Sequence, residues 1–151
     1  MGKQRQNNED VFICQSLWND QAVLSVVIDG MGGYEGGEVA AAIAQRTILQ
    51  SLEYQADADC EEALRQAFIG ANNAILEERR KHSEYDEMAC VATALLAVPS
   101  HSLAYIAHVG DTRCYLLHQG QLKKLSHDHS PIGLYEERGI LSEEQAMEHP
   151  M

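Results

Sequence analysis

Positive charge is scarce in this sequence: 11 lysines and arginines stand against 23 aspartates and glutamates, for a formal net charge of −12. A nucleic-acid binder needs basic surface to neutralise phosphates, so that class is set aside. Long apolar runs are missing too. They end in Asp, Gly or Pro well short of the ~20 residues that span a bilayer, and no basic-then-apolar leader opens the chain. The expectation is a soluble, cytoplasmic protein with no membrane partner. Cys14, Cys60, Cys90 and Cys114 show no C-x-x-C spacing, and none of the seven histidines falls in an H-E-x-x-H motif. Zinc chemistry and a redox pair are therefore disfavoured, and the thiols are expected to be buried. No EF-hand loop is present, which removes a calcium buffer from consideration. Repeats and low-complexity linkers are also absent.

What remains is one domain's worth of patterned chain: 151 residues, 45% of them apolar. "VFIC" (11–14) and "AVLSVVI" (22–28) read as strands, and the turn chemistry of "WNDQ" between them predicts a hairpin. A helix is expected over 38–52, although Arg46 falls on its apolar side. A second begins at Asp59, where Glu62 completes a capping-box pattern, and Leu64, Ala67, Phe68, Ala71 and Ile75 follow at helical spacing. Arg79, Arg80 and Lys81 suit that helix's C-terminal dipole. Strands follow at 89–98, 103–109, 113–118 and 121–125, the last two flanking a Gln119-Gly120 turn, and a short helix capped by Ser142 lies within 141–150. Strands, two helices and a strand meander make an α+β order, with antiparallel sheets flanked by helices.

The glycine-rich stretch "IDGMGGYEGGE" (28–38) is neither a P-loop, lacking Gly-Lys-Ser/Thr, nor a G-x-G-x-x-G fingerprint, since Glu35 stands where glycine is required. One reading is a tight strand-to-helix connection. The other is that Asp29 holds a hard divalent cation, with the Gly30 carbonyl brought close by its lack of a side chain. If the first two strands pair antiparallel, Glu9 and Asp10 meet Asp29 at one sheet edge. Carboxylates that close repel unless cations or protons offset them. Arg5, four residues before Glu9, is near enough to serve the same rim as a phosphate clamp.

"RQNNED", "VVIDGMGG" and "GE-VA" in this order resemble the protein phosphatase 2C family, the metal-dependent (PPM-type) Ser/Thr phosphatases. The resemblance continues through "HVGDTRCYLL" (108–117), "LKKLSHDHSP" (122–131) and "GILSEEQAMEHP" (139–150). It implies an antiparallel β-sandwich flanked by helices, incomplete at the C-terminus, with residues 1–151 the N-terminal part of one catalytic domain and 130–150 its flap. It implies two Mn²⁺ or Mg²⁺ ions bridged by Asp29, one also bound by the Gly30 carbonyl. Glu9 and Asp10 would hold water molecules on the ions, Arg5 would bind the substrate phosphate, and Asp111 would help hold a third, weaker ion. Phosphoserine or phosphothreonine proteins would be hydrolysed by an activated water, and a Ser/Thr kinase is an expected partner. Met31 stands where animal members commonly carry histidine, which points to the bacterial branch. The "HDH" run at 127–129 is read as structural, and Ala89, Cys90 and Val91 depart from the family's usual Gly and Thr/Ser. The rival expectation is a non-catalytic fragment or pseudophosphatase that binds a partner.

Overall fold

The computed structural model describes residues 8–32, 36–56 and 59–150. Strands β1 (Asp10–Leu17) and β2 (Ala22–Met31) form the expected hairpin, paired from Asp10↔Asp29 to Leu17↔Ala22. Trp18, Asn19 and Asp20 all take left-handed backbone angles in the connection. The Trp18 indole N–H donates to the Leu52 carbonyl at 2.8 Å, tying that turn to the far end of the first helix.

Helix α1 (Gly36–Glu53) and helix α2 (Cys60–Lys81) follow. Arg46 is exposed, because the buried stripe of α1 runs through Ala40, Ala41, Ile43, Ala44, Ile48 and Leu52 and passes it by. Asp59 caps α2 by accepting from the Glu61 and Glu62 amides at 2.9 and 3.2 Å. The capping box expected there is only half made. The Glu62 carboxylate turns to Arg65 and Gln66, and the Arg65 guanidinium, ahead of Gln66, holds its carboxyl down at about 2. Asp59→Ala should therefore cost about 1 kcal/mol, read as a lower urea midpoint at unchanged slope.

Strands β3 (Ala89–Val98) and β4 (Leu103–Val109) complete one antiparallel sheet in the order β1-β2-β3-β4. Alternation along β2 sends Ala22, Leu24, Val26, Ile28 and Gly30 inward, where they pack under α1 and α2 with Ala92, Ala94 and Leu96 of β3. The opposite face carries Phe12, Val23, Val27, Asp29 and Met31, all exposed. A two-stranded ribbon, β5 (Tyr115–His118) and β6 (Gln121–Lys124), turns through Gln119 and Gly120, both at positive φ. Helix α3 (Pro131–Glu137), capped by Ser130, and helix α4 (Glu143–Met147), with a full Ser142/Gln145 capping box, end the described chain. The architecture is α+β with an antiparallel sheet flanked by helices, as expected.

The cysteine expectation holds only in part. Cys60 is buried, Cys90 and Cys114 are half-buried, and Cys14 is exposed because its strand position faces away from the helices. All four are free thiols. No described helix is long and apolar enough to cross a membrane.

A candidate metal centre at one end of the sheet

The end of β2 is crowded on one side and open on the other. Gly30 faces the helices, and its N–H donates to the Glu9 carbonyl at 3.2 Å. A β-carbon on Gly30 would overlap the Gly37 carbonyl oxygen and lie 2.8 Å from the Glu9 carbonyl oxygen. Backbone oxygens therefore close in on this residue from β1 and from the first turn of α1. The Glu9 carboxylate lies against Gly37, where a β-carbon would meet its Cδ at 2.7 Å. That places its charge beside the N-terminal turn of α1, which favours an anion.

Asp10 and Asp29 are direct cross-strand partners. Directly opposed residues share a sheet face, so these two carboxylates stand together on the face away from the helices. Sequence reasoning brought three carboxylates to this edge. The backbone does so, but the side chains divide: Asp10 and Asp29 to one face, Glu9 to the helix side. Among the described residues no group of three or more His, Cys, Asp or Glu side chains is placed to hold a metal ion. Two carboxylates and nearby carbonyl oxygens still suit a hard divalent ion, since Mg²⁺ keeps several waters and takes only one or two protein carboxylates. Arg5 lies outside the described residues.

Burial first, and the Asp29 charge second, push the Cys90 thiol up to about 11. Cys90 pairs with Gly30 across β2 and β3, so this departure from the family's pattern sits in the next strand to the carboxylate pair.

Asp111 follows β4 at the same end of the sheet. Val109 pairs with Ala92, and Asp29 with Val91, so Asp111 stands two strands beyond Asp29, on the order of 10 Å away at the usual strand spacing. It borders a cleft of about 600 Å³ whose other walls include Arg113, Ser130, Ile132, Met147 and His149. The segment expected to be a flap thus shares a cleft with Asp111.

The clasp that seats that segment is the feature sequence reading missed. The Arg113 guanidinium donates to both oxygens of Asp128, to Oδ2 at 2.6 Å from Nη2 and 3.0 Å from Nε and to Oδ1 at 3.2 Å from Nε, and Lys124 bonds to Glu136 of α3. The Arg113 and Asp128 side chains are 17% and 7% exposed, too dry for water to screen the pair away. Asp128, as hydrogen-bond partner, raises the Arg113 pKa above its ordinary value. The Tyr115 hydroxyl donates to Glu143 at 2.5 Å, fixing α4 to the same ribbon. Residues 15 apart in the chain leave no periodic signal; the one available hint was the acidic residue inside "HDH".

Comparison with known proteins places this geometry. The family model for protein phosphatase 2C matches residues 1–148. The serine/threonine phosphatase stp of Listeria welshimeri is 35% identical over 153 residues, an alignment that covers 99% of this chain and 60% of the relative. The serine/threonine protein phosphatase PstP of Mycobacterium tuberculosis is 28% identical, with 99% of this chain and 27% of the relative covered. The crystal structure of the M. tuberculosis enzyme superposes with a TM-score of 0.83 at 27% identity, covering 99% of this chain and 60% of that one. A structure of the PstP catalytic domain in complex with two manganese ions gives 0.81 at 26% identity, with 96% and 60% covered. Stp1 of Staphylococcus aureus gives 0.84 at 26% identity, with 99% and 59% covered. The chain thus spans about 60% of the length of the Listeria relative.

Proposed function

The chain belongs to the protein phosphatase 2C family, and from that membership we propose that it carries the metal-binding edge of a phosphoserine/phosphothreonine phosphatase. Its residues 1–151 then form the N-terminal part of one catalytic domain, with 130–150 as the flap. The observation that supports this best is the Asp10↔Asp29 pairing beside Gly30, where no side chain fits.

In this reading Asp29 and the Gly30 carbonyl hold Mn²⁺ or Mg²⁺, and Asp111 contributes to a further, weaker site. Bound there, the ions supply Lewis-acid activation of water and offset charge on the phosphoryl oxygens. Glu9 and Asp10 accept hydrogen bonds from the surrounding hydration shell and so orient it. Arg5 clamps two phosphate oxygens with its planar fork. Met31, at the position of the animal histidine, cannot donate a proton to the leaving alkoxide, which leaves that step to water or to another group. Substrates are phosphorylated proteins, with a Ser/Thr kinase as the opposing activity. The acidic chain, at −12, favours targets with basic residues near the phosphate.

The test is phosphate release from a phosphothreonine peptide. The chain is assayed alone and joined to the segment of the Listeria phosphatase that the alignment leaves uncovered. Turnover is expected in the joined protein, dependent on Mn²⁺ and stopped by chelation. A folded, Mn²⁺-binding joined protein that releases no phosphate would replace this reading with the non-catalytic binding module.

A further inference from the structure

The two edges of the four-stranded sheet are finished differently. At β1 the edge is obstructed: Asp10 puts a charge on its first residue, and the Gln45 side chain of α1 donates to the Phe12 carbonyl at 2.8 Å. β4 has neither device. Leu103–Val109 contains no Asp, Glu, Lys, Arg or Pro, the residues that usually blunt an edge strand. Among the described residues no strand pairs with its outer side. Chain returns to that side only past the end of β4. There the Gly110 N–H donates to His129 Nδ1 at 3.2 Å, and the His129 backbone N–H donates to the Gly110 carbonyl at 2.7 Å.

The open edge is also one wall of a groove. The register with β3 puts Leu103, Tyr105, Ala107 and Val109 on the helix side. Beside them Leu64, Phe68 and Ile69 of α2 complete a groove of about 600 Å³. Ile69 is 41% exposed, and Leu103, at the start of the strand, 57%. Glu61 and Arg65, one helical turn apart on α2, border the same groove with opposite charges.

An unpaired edge presents a row of N–H and C=O groups, which another extended strand satisfies. A second copy of this chain brings the same need and the same edge. Antiparallel pairing about a two-fold axis satisfies both, and because residues 127–129 occupy the far end, it centres near Tyr105 and joins 103–107 to 103–107. The two α2 helices then lie antiparallel across the axis, so that Arg65 of each copy is directed toward Glu61 of the other. A chain of net charge −12 resists contact with itself wherever acidic surfaces meet, but this strand contributes no acidic residue. We propose that the chain forms a reversible two-fold dimer by pairing β4 with β4 of a second copy, which doubles the sheet. Such a contact is self-complementary and stops at two, because the edge left over in each copy is the obstructed β1. It does not depend on the metal reading.

The experiment is sedimentation of the full chain from about 1 μM to about 1 mM, a range that covers weak, reversible association. A monomer–dimer equilibrium is expected. Leu103→Lys, a change at an exposed position that puts a charge into the pairing edge, should raise the dissociation constant at least about tenfold. Val27→Lys, on the sheet face away from the helices, should leave it within about twofold by the same reasoning. Glu61→Arg and Arg65→Glu should each weaken the dimer, and the double exchange should restore it to within about threefold. Hydrogen exchange of the wild type needs no variant: alternate amides between Leu103 and Ala107 should slow as concentration rises. A chain that stays monomeric across this range would overturn the proposal, as would species larger than a dimer. A dimer that survives Leu103→Lys, or one that Val27→Lys dissociates, would overturn it too, by moving the contact away from β4. Failure of the double exchange to restore association, or amides of β4 whose exchange ignores concentration, would do the same.

Discussion

Asp29→Asn is expected to abolish the stabilisation of this chain by Mn²⁺ without unfolding it. Asparagine keeps the size and most of the hydrogen-bonding capacity of aspartate and removes the charge that a hard cation requires. In the wild type, Mn²⁺ at about 100 times its dissociation constant contributes about 2.7 kcal/mol. For a chain of this length that amounts to a rise of about 5–10 °C in melting temperature. In chelator the two proteins should melt within a few degrees of each other, because Asp29 is exposed and its charge stands directly across from that of Asp10. Differential scanning with and without Mn²⁺ reads both quantities. Cys90 gives an internal control. Its raised pKa owes more to burial than to Asp29, so its thiol should stay slow toward alkylating reagents in the variant. A full Mn²⁺ shift retained by Asp29→Asn would mean that the cation is held elsewhere, and the carboxylate pair would lose its proposed role.

The pairing of Asp10 with Asp29 was legible in the sequence because two local signals fixed it. The nearly continuous apolar run at 22–28, rich in valine and isoleucine, is too short for a buried helix, and the turn residues at 18–21 leave only a hairpin to join it to 11–14. Once the hairpin is granted, the register follows and the two carboxylates must meet. Strands at 89–98 and 103–109 were equally plain, since each is a short, nearly continuous apolar run bounded by polar or turn residues. Helix α3 was missed although its signal was present: Ser130 at the cap and Pro131 at the first helical position are standard start chemistry. The run is only seven residues long, so no hydrophobic period develops to support it.

The site was half legible for a different reason. A strand pattern says which residues share an edge, but side-chain direction follows from position parity, and Glu9 and Asp10 are consecutive. They therefore diverge to opposite faces, which no motif reading of "NNED" displayed. The contacts beside Asp111, which join β3 and β4 to Thr112 and to residues 127–129, each span 19 residues of the chain. Contacts of that kind come from topology and leave no local trace.

Gly30→Ala should be the most destabilising single methyl that can be added to this chain's carboxylate edge. The new carbon would overlap the Gly37 carbonyl oxygen and crowd the Glu9 carbonyl oxygen, both backbone atoms that no rotamer change can move. Relief requires α1 to back away from β2, and with it the buried contacts of Ala40, Ala41 and Ala44. Overpacking costs about 1–3 kcal/mol where side chains can give way; here the cost should lie at or above about 3 kcal/mol, with Mn²⁺ stabilisation lost as Asp29 shifts with its strand. Gly70, in the interior of α2, supplies the opposite case. A β-carbon there meets only Thr47 Cγ2, at 3.7 Å, an ordinary contact. Gly70→Ala should therefore gain about 1 kcal/mol from helix propensity and leave the Mn²⁺ response untouched. Urea denaturation of the two variants, in chelator and in Mn²⁺, separates a general intolerance of added bulk from a requirement specific to position 30. Equal stabilities for Gly30→Ala and the wild type would show that α1 yields freely at its first turn, and the close approach of backbone oxygens to Gly30 would then not be what holds the carboxylate edge in place.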